Sequence, residues 1–371
     1  MTINDLVVYL DNLSVQELEK LQIEINHKLN RQYSPNNDQV LDNPRLYAGV
    51  ECPHCYSKHV SRNGKHNGKQ RYICVNCDKS FGLTTNSIIA WTKKSPSVWS
   101  KYSKCMINGF SLRKSAKECE INLQTAFNWR HKILQALAAR EETPLSGIIE
   151  SDETYFPDNF KGNCNAGDHL NKQSIVKVQK IDIPKVKLPA YKTYRESGHC
   201  HSRGKASSKR GLSMEKVCVP CAIDRKGRIY GKVAGLGKVS EEFLHKAYDH
   251  HMEQKSILIT DKDASAKKFA KKNKLGLIQL NSKTESRKGL YNLQHVNNLH
   301  SQLKDFVTNF KNVSTKHLNN YVVWLGWNIE NKGMNVQDTA EKLLQTASTG
   351  YYNIKCADIC KKPAYPFEYG G

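Results

Sequence analysis

The chain has 371 residues, 39% of them apolar, enough for two or three domains with a sizeable core, which excludes a small module held together by disulfides. Its 57 Lys and Arg against 35 Asp and Glu leave a net charge of +22, which attracts polyanions and points to nucleic acid as the partner. No apolar run approaches the roughly 20 residues of a membrane span, and MTINDLVVYLDNLSV has no basic stretch ahead of its apolar residues; a cytoplasmic protein with no membrane partner is expected.

In chain order, Ser14 and Glu17 form a capping box, and Leu18, Leu21, Ile25 and Leu29 recur near helical spacing, which predicts a helix over 1–32. It reads equally as a dimerisation helix and as one packed on its own domain. Residues 33–44, polar and containing Pro35, read as a linker.

Within 45–92, Cys52-Pro-His-Cys55 and Cys74-Val-Asn-Cys77 form two CxxC pairs. In a reducing compartment cysteines serve as thiols and metal ligands, and two such turns joined by a hairpin supply four thiolates to one tetrahedral metal. One structural Zn2+ per chain in a zinc ribbon is therefore expected, with His54 and His59 as bystanders. The stretch SRNGKHNGKQRYI between the pairs is basic, which suits a surface facing phosphates and equally a solvated hairpin.

Over 93–142 the pattern is helical. Ser95-Pro96 starts one helix, Gly109 ends it, Ser111 caps a second, and Asn122 caps a third that runs to Ala139. The three fit a helix-turn-helix unit, with Thr125, Asn128, Arg130, His131 and Lys132 facing DNA and Leu123, Phe127 and Leu134 facing the core. An ordinary three-helix bundle has the same apolar pattern.

From 143 to 335 strands and helices alternate, as in an α/β layer. Ile148 and Ile149 open a strand on which Glu150 and Asp152 share one face. A basic insertion over 161–210 carries 12 Lys and Arg against 3 acids and reads as a loop near DNA or as a solvated surface. Strands follow at 217–223 and 228–234 around the turn Asp224-Arg225-Lys226-Gly227. Cys218 and Cys221 lie inside that apolar run and read as buried strand residues rather than ligands; Cys164 with His199, Cys200 and His201 is too irregularly spaced for a second zinc site. A helix near 240–252 leads to a strand at 256–260 that ends in Asp261, followed by a helix near 263–273 and the strand LGLIQL. Carboxylates at the ends of adjacent strands converge on hard cations, the geometry that two-metal phosphodiester chemistry needs.

Asp152, Asp261, Asn297 at 35 intervening residues beyond Asp261, and Lys304 two helical turns after Asn297 together resemble the Asp-Asp-Asn-Lys variant of DDE transposases in zinc-ribbon insertion-sequence transposases of the ISXO-two-like group. The segments KRGLSMEKVCVPCAIDRKG, STKHLNNYVVW and TAFNWRHKIL resemble that group as well, so the similarity covers roughly residues 50–330.

The resemblance implies an RNase H-like core and a transposase that binds terminal inverted repeats, then cuts and joins DNA. It also implies two catalytic Mg2+ or Mn2+ ions held by Asp152, Asp261 and Asn297, a phosphate contact for Lys304, and at least a homodimer on double-stranded DNA at the bacterial nucleoid. Asparagine is a weaker ligand for a hard cation than glutamate; Glu285, the nearest preceding acid, sits in a turn-like stretch poorly placed for a rigid site. The other readings are an RNase H-like nuclease or resolvase and a DNA-binding regulator without catalysis. Residues 336–371 read as a tail in which Cys356 and Cys360 fall one turn apart if helical.

Overall fold

The computed structural model describes residues 49–140, 143–159, 216–281, 287–311, 313–350, 352–360, 362 and 366. Outside them lie the expected N-terminal helix and linker, the basic insertion with Cys164, His199, Cys200 and His201, and Glu285. Among the described residues no helix is long and apolar enough to cross a membrane. The chain divides into two compact units, Met1–Lys104 with Ala340–Asn353, and Cys105–Thr339 with Ile354–Gly371.

In the first unit, β1 (Val60–His66), β2 (Lys69–Cys74) and β3 (Ser80–Gly82) form an antiparallel sheet in that order. His66 pairs with Lys69 across Asn67-Gly68, both at positive φ, the combination that a tight two-residue hairpin favours. Tyr72 and Phe81 stack at 5.8 Å and bury with Cys52 and Cys74 in a small core. The helix α1 (Pro96–Ile107) begins at its proline, and Gly109 at φ 65 follows its end.

In the second unit Ser111 accepts from the N–H of Lys114 to cap α2 (Leu112–Glu118), and Asn122 accepts from the N–H of Gln124 to cap α3 (Leu123–Ala138). The unit is otherwise a mixed α/β fold. Its strands are β4 (Ile148–Pro157), β5 (Lys216–Asp224), β6 (Ile229–Gly231) and β7 (Gly235–Leu236), and, after α4 (Glu241–Tyr248), β8 (Ile257–Asp261). Then come α5 (Ala264–Lys272), β9 (Gly276–Leu280) and a hairpin of β10 (Arg287–Lys288) and β11 (Tyr291–Asn292). The helices α6 (Gln294–Asn309), α7 (Leu318–Glu330), α8 (Val336–Thr349, most of it in the first unit) and α9 (Cys356–Cys360) complete the described chain; Cys356 and Cys360 bracket one helical turn.

The six-stranded sheet has the order β6-β5-β4-β8-β9, with β7 also pairing β5. Strands β4, β8 and β9 are parallel, and β5 runs antiparallel to β4 and β6. Both faces are covered. Ile149, Cys218, Ala222 and Leu258 bury against Leu244 and Tyr248 of α4 and Phe269 of α5. Phe156, Val217, Val219 and Cys221 bury against Val296, Leu299 and Leu303 of α6 and Val322 of α7. Burial on two faces is why VCVPCAI reads as a continuous apolar run. It also separates Cys218 from Cys221: three residues apart on a strand, they point to opposite faces and cannot chelate one ion.

Three sequence expectations change. The strand expected at 228–234 is split, with Ile229–Gly231 and Gly235–Leu236 pairing separately with β5. On α3, Arg130 and His131, expected to face DNA, lie in the interior, Arg130 only 1% exposed. The Arg130 guanidinium donates to the carbonyl of Phe110 at 2.7 Å and sits 5.1 Å from the Trp324 ring of α7, while His131 stacks on His317 at 4.0 Å. The buried stripe of α3 runs Ala126, Trp129, Arg130, Ile133, Leu134, Leu137, so the arginine occupies a core position at helical period. Leu123, expected in the core, is exposed at the helix start.

Candidate functional site

Two clusters carry chemistry, one in each unit. In the first unit, the sulfurs of Cys52, Cys55, Cys74 and Cys77 all lie within 4.8 Å of one another, positioned to hold a metal ion. Cys52 Sγ is 3.6 Å from Cys77 Sγ, and Cys55 Sγ is 3.5 Å from Cys74 Sγ. Both turns are built alike: the N–H of Cys52 donates to the carbonyl of Ser57 and that of Cys74 to the carbonyl of Lys79. The residue after each second cysteine, Tyr56 or Asp78, takes positive φ. The CxxC spacing thus folds into two matching turns whose sulfurs point at one another.

The second cluster grows from the sheet. β4 and β8 pair in parallel with Ile148 opposite Ile257, Ile149 opposite Leu258 and Glu150 opposite Ile259. Continuing that register two residues brings Asp152 level with Asp261, the last residue of β8. In parallel sheets the carboxyl ends of strands are where ligands bind. Alternation puts Glu150, Asp152 and Phe156 on the α6 face of β4, and Ile149, Ser151 and Glu153 on the α4 and α5 face.

On α6, Val296, Leu299 and Leu303 bury toward the sheet, while Asn297 and Lys304 are exposed. Seven residues apart, those two share one flank of the helix within about 20°. Between flank and core sits His300, buried, with Nδ1 3.8 Å from Asp152 Oδ2.

The carboxylates strain one another. Burial, with the nearby charge of Asp261, raises the Asp152 carboxyl to about 6, against the pull of the Glu153 N–H and the Lys304 ammonium. Burial also raises Asp261, with the charge of Asp263 adding. Glu153, unremarked in the sequence, is raised to about 8 by burial and then by Asp152, Asp261 and Asp263, so it is protonated at neutral pH. Its one sequence signal is the acid pair Asp152-Glu153. His300 is pushed down to about 4 by burial and the Lys304 charge, so it is a neutral imidazole at pH 7. Repelling carboxylates with a lysine beside them form a site that a cation relieves.

Glu150 lies deeper on the same face. Its carboxylate accepts from the backbone N–H of His295 at 2.8 Å and of Val296 at 3.2 Å, and pairs with Arg225 Nη1 at 2.9 Å. Of the five α3 residues expected at DNA, Thr125, Asn128 and Lys132 are partly exposed, and Arg130 and His131 are not. Directly after Asp261, Lys262 and the α5 residues Lys267, Lys268, Lys271 and Lys272 are all exposed.

No family model matches the chain. A stretch of 116 residues, 31% of the chain, is 30% identical to a protein, itself uncharacterized, in the transposable element ISH50 of Halobacterium salinarum. That stretch spans 39% of the relative's length, so the likeness is to part of that protein. It links the chain to a transposable element.

Proposed function

We propose that the chain is the DNA transposase of an insertion sequence, which binds the terminal inverted repeats of its element and catalyses metal-dependent strand cleavage and strand transfer. The observation that carries this reading is the β4–β8 register, which, continued two residues past its last pair, sets Asp152 level with Asp261, with Lys304 close enough for its charge to act on Asp152. The mixed sheet, covered by helices on both faces, supports an RNase H-like core for it, and the ISH50 relative supports a mobile element as its source.

Asp152, Asp261 and the amide oxygen of Asn297 offer hard oxygen donors to Mg2+ or Mn2+, and the raised Asp152 carboxyl fits a site completed by cations. When bound, a pair of such ions supplies Lewis acidity to the scissile phosphate and activates the attacking hydroxyl. Lys304 holds a DNA phosphate as a point charge and orients the strand without reading its bases. His300, neutral, keeps a proton-bearing ring beside Asp152 without adding charge. The lysines of α5 follow Asp261 directly and hold the duplex backbone where it enters the site.

In the first unit, a tetrahedral zinc with Zn–S bonds of about 2.3 Å sets its sulfurs about 3.8 Å apart. The pairs at 3.6 and 3.5 Å fit that ion, and the metal-bearing hairpin of the first unit and α2 and α3 of the second are each DNA-binding elements. Pairing two element ends calls for at least two protomers on double-stranded DNA.

The test is product analysis with DNA carrying the element ends, a supercoiled target, and Mg2+ or Mn2+. Nicks at the ends and ends joined to target are expected. Cutting without joining indicates a nuclease or resolvase, and binding without cutting a regulator.

A further inference from the structure

We infer that Glu150 is a positioning residue: with Arg225 and His295 it sets the height and rotation of α6 and thereby where Asn297 and Lys304 stand over Asp152. The inference rests on the transposase reading of that site.

A glutamate is almost never fully buried unless it is paired, and Glu150 is 1% exposed. Its partners fall into three sets, two of them from the start of α6 and one from the β5–β6 turn. The first is the start of α6. Leu293 at the cap makes no side-chain bond to the helix; Asn292 Oδ1 accepts the N–H of Gln294 at 3.0 Å, and the next two N–H groups are left for another acceptor. Glu150 supplies one from β4 beneath the helix, taking the N–H of His295 and of Val296 on one oxygen, at 2.8 and 3.2 Å. A carboxylate there also faces the positive end of the helix dipole.

The second is the β5–β6 turn, from which Arg225 Nη1 reaches Glu150 Oε1 at 2.9 Å. The same guanidinium donates through Nη2 to the carbonyl of Leu290 at 3.0 Å, at the tip of the β10–β11 hairpin that leads into α6. The third is the His295 ring, whose Nδ1 lies 2.7 Å from both Glu150 Oε1 and Arg225 Nη1. That nitrogen serves one of them at a time, with a proton toward the carboxylate or a lone pair toward the guanidinium.

Burial of Val296, Leu299 and Leu303 is non-directional: it keeps α6 on the sheet but tolerates sliding and rolling. Two N–H bonds onto one carboxylate oxygen do not tolerate either. Glu150 is two residues from Asp152 on the same face of β4, and Asn297 falls in the first turn of α6. Holding that turn to Glu150 therefore fixes the separation between donors on the strand and donors on the helix. Outer partners of this kind change metal affinity about 10- to 100-fold when removed.

The test uses the full-length, zinc-loaded protein and titrates Mn2+ alone, with bound ion read by electron paramagnetic resonance and backbone order by hydrogen exchange. Glu150→Gln keeps the shape but replaces an acceptor with an NH2 group facing other donors. It is expected to weaken Mn2+ binding about tenfold and to speed exchange in the first turn of α6, with α7 and the sheet unchanged. His295→Ala, at a residue 53% exposed, removes only the ring contact and is expected to weaken Mn2+ binding by a smaller factor; it serves if Glu150→Gln fails to fold. Mn2+ binding in both variants equal to the parent's overturns the positioning role. Parent binding that survives Asp152→Asn instead overturns the metal reading of the site, whatever the Glu150 variants do.

Discussion

Nδ1 of His300 stands 3.8 Å from Oδ2 of Asp152, joining the helix that carries Asn297 and Lys304 to the strand that carries the first carboxylate. Removing the ring by His300→Ala takes away the buried neighbour that limits how Asp152 can turn. The expected outcome is a 10- to 100-fold slower metal-dependent cleavage at unchanged DNA affinity. Single-turnover cleavage beside a binding titration checks this, and equal losses in both assign His300 to folding.

The stacked pair His131 and His317 gives the second unit an acid limit. His317 is lowered to about 3 by burial and by the charges of Lys316 and Lys362, and its ring nitrogens have no hydrogen-bond partner among the described residues. His131 is lowered well below its ordinary value by burial and by His317. Between pH 6.5 and about 3 the unfolded chain binds these protons and the folded chain does not, so stability falls as pH drops through that window. Each histidine contributes a slope of about 1.4 kcal/mol per pH unit. Urea unfolding at pH 7.5, 6 and 5 measures it, and His317→Phe is expected to flatten the curve; an unchanged slope contradicts the buried neutral pair.

Arg130 and Lys132 separate stability from DNA contact on one helix. Arg130→Ala leaves the Phe110 carbonyl without its donor and removes the cation from the Trp324 face, costing about 2–3 kcal/mol of stability. Lys132→Ala is expected to leave the melting temperature alone, weaken binding to all sequences alike and lower the salt dependence by about one phosphate contact. Asn128→Ala is expected to weaken binding to the element ends more than to other DNA. Thermal melts and binding at several salt concentrations distinguish the three.

The division between what was legible and what was not follows from the range of each interaction. The CxxC turns, the caps at Ser111 and Asn122, the hairpin at Asn67-Gly68 and the run ending in Asp261 depend on neighbours a few residues away, and their residue types announce them. The facing of Arg130 was present in the periodicity of α3, but its charge argued for the surface until Phe110 and Trp324 supplied partners from elsewhere in the chain. The work of Glu150 was not legible, because its acceptor role depends on Arg225 and His295, which only the tertiary fold brings to it.

The four thiols make a further prediction. Metal analysis of the purified protein is expected to give about one zinc per chain, and Cys74→Ser is expected to lose it together with DNA affinity. A protein that binds element ends at full affinity without zinc contradicts the proposed role of this centre.

The most direct measurement is cleavage of element-end DNA by the parent, Asp152→Asn and Asp261→Asn proteins across a range of Mg2+ or Mn2+ concentrations, at equal amounts of bound DNA. Cleavage that requires the ion in the parent and falls to background in both variants is the predicted result. Either variant cutting as fast as the parent contradicts the metal site assigned to Asp152 within β4 and Asp261 at the end of β8.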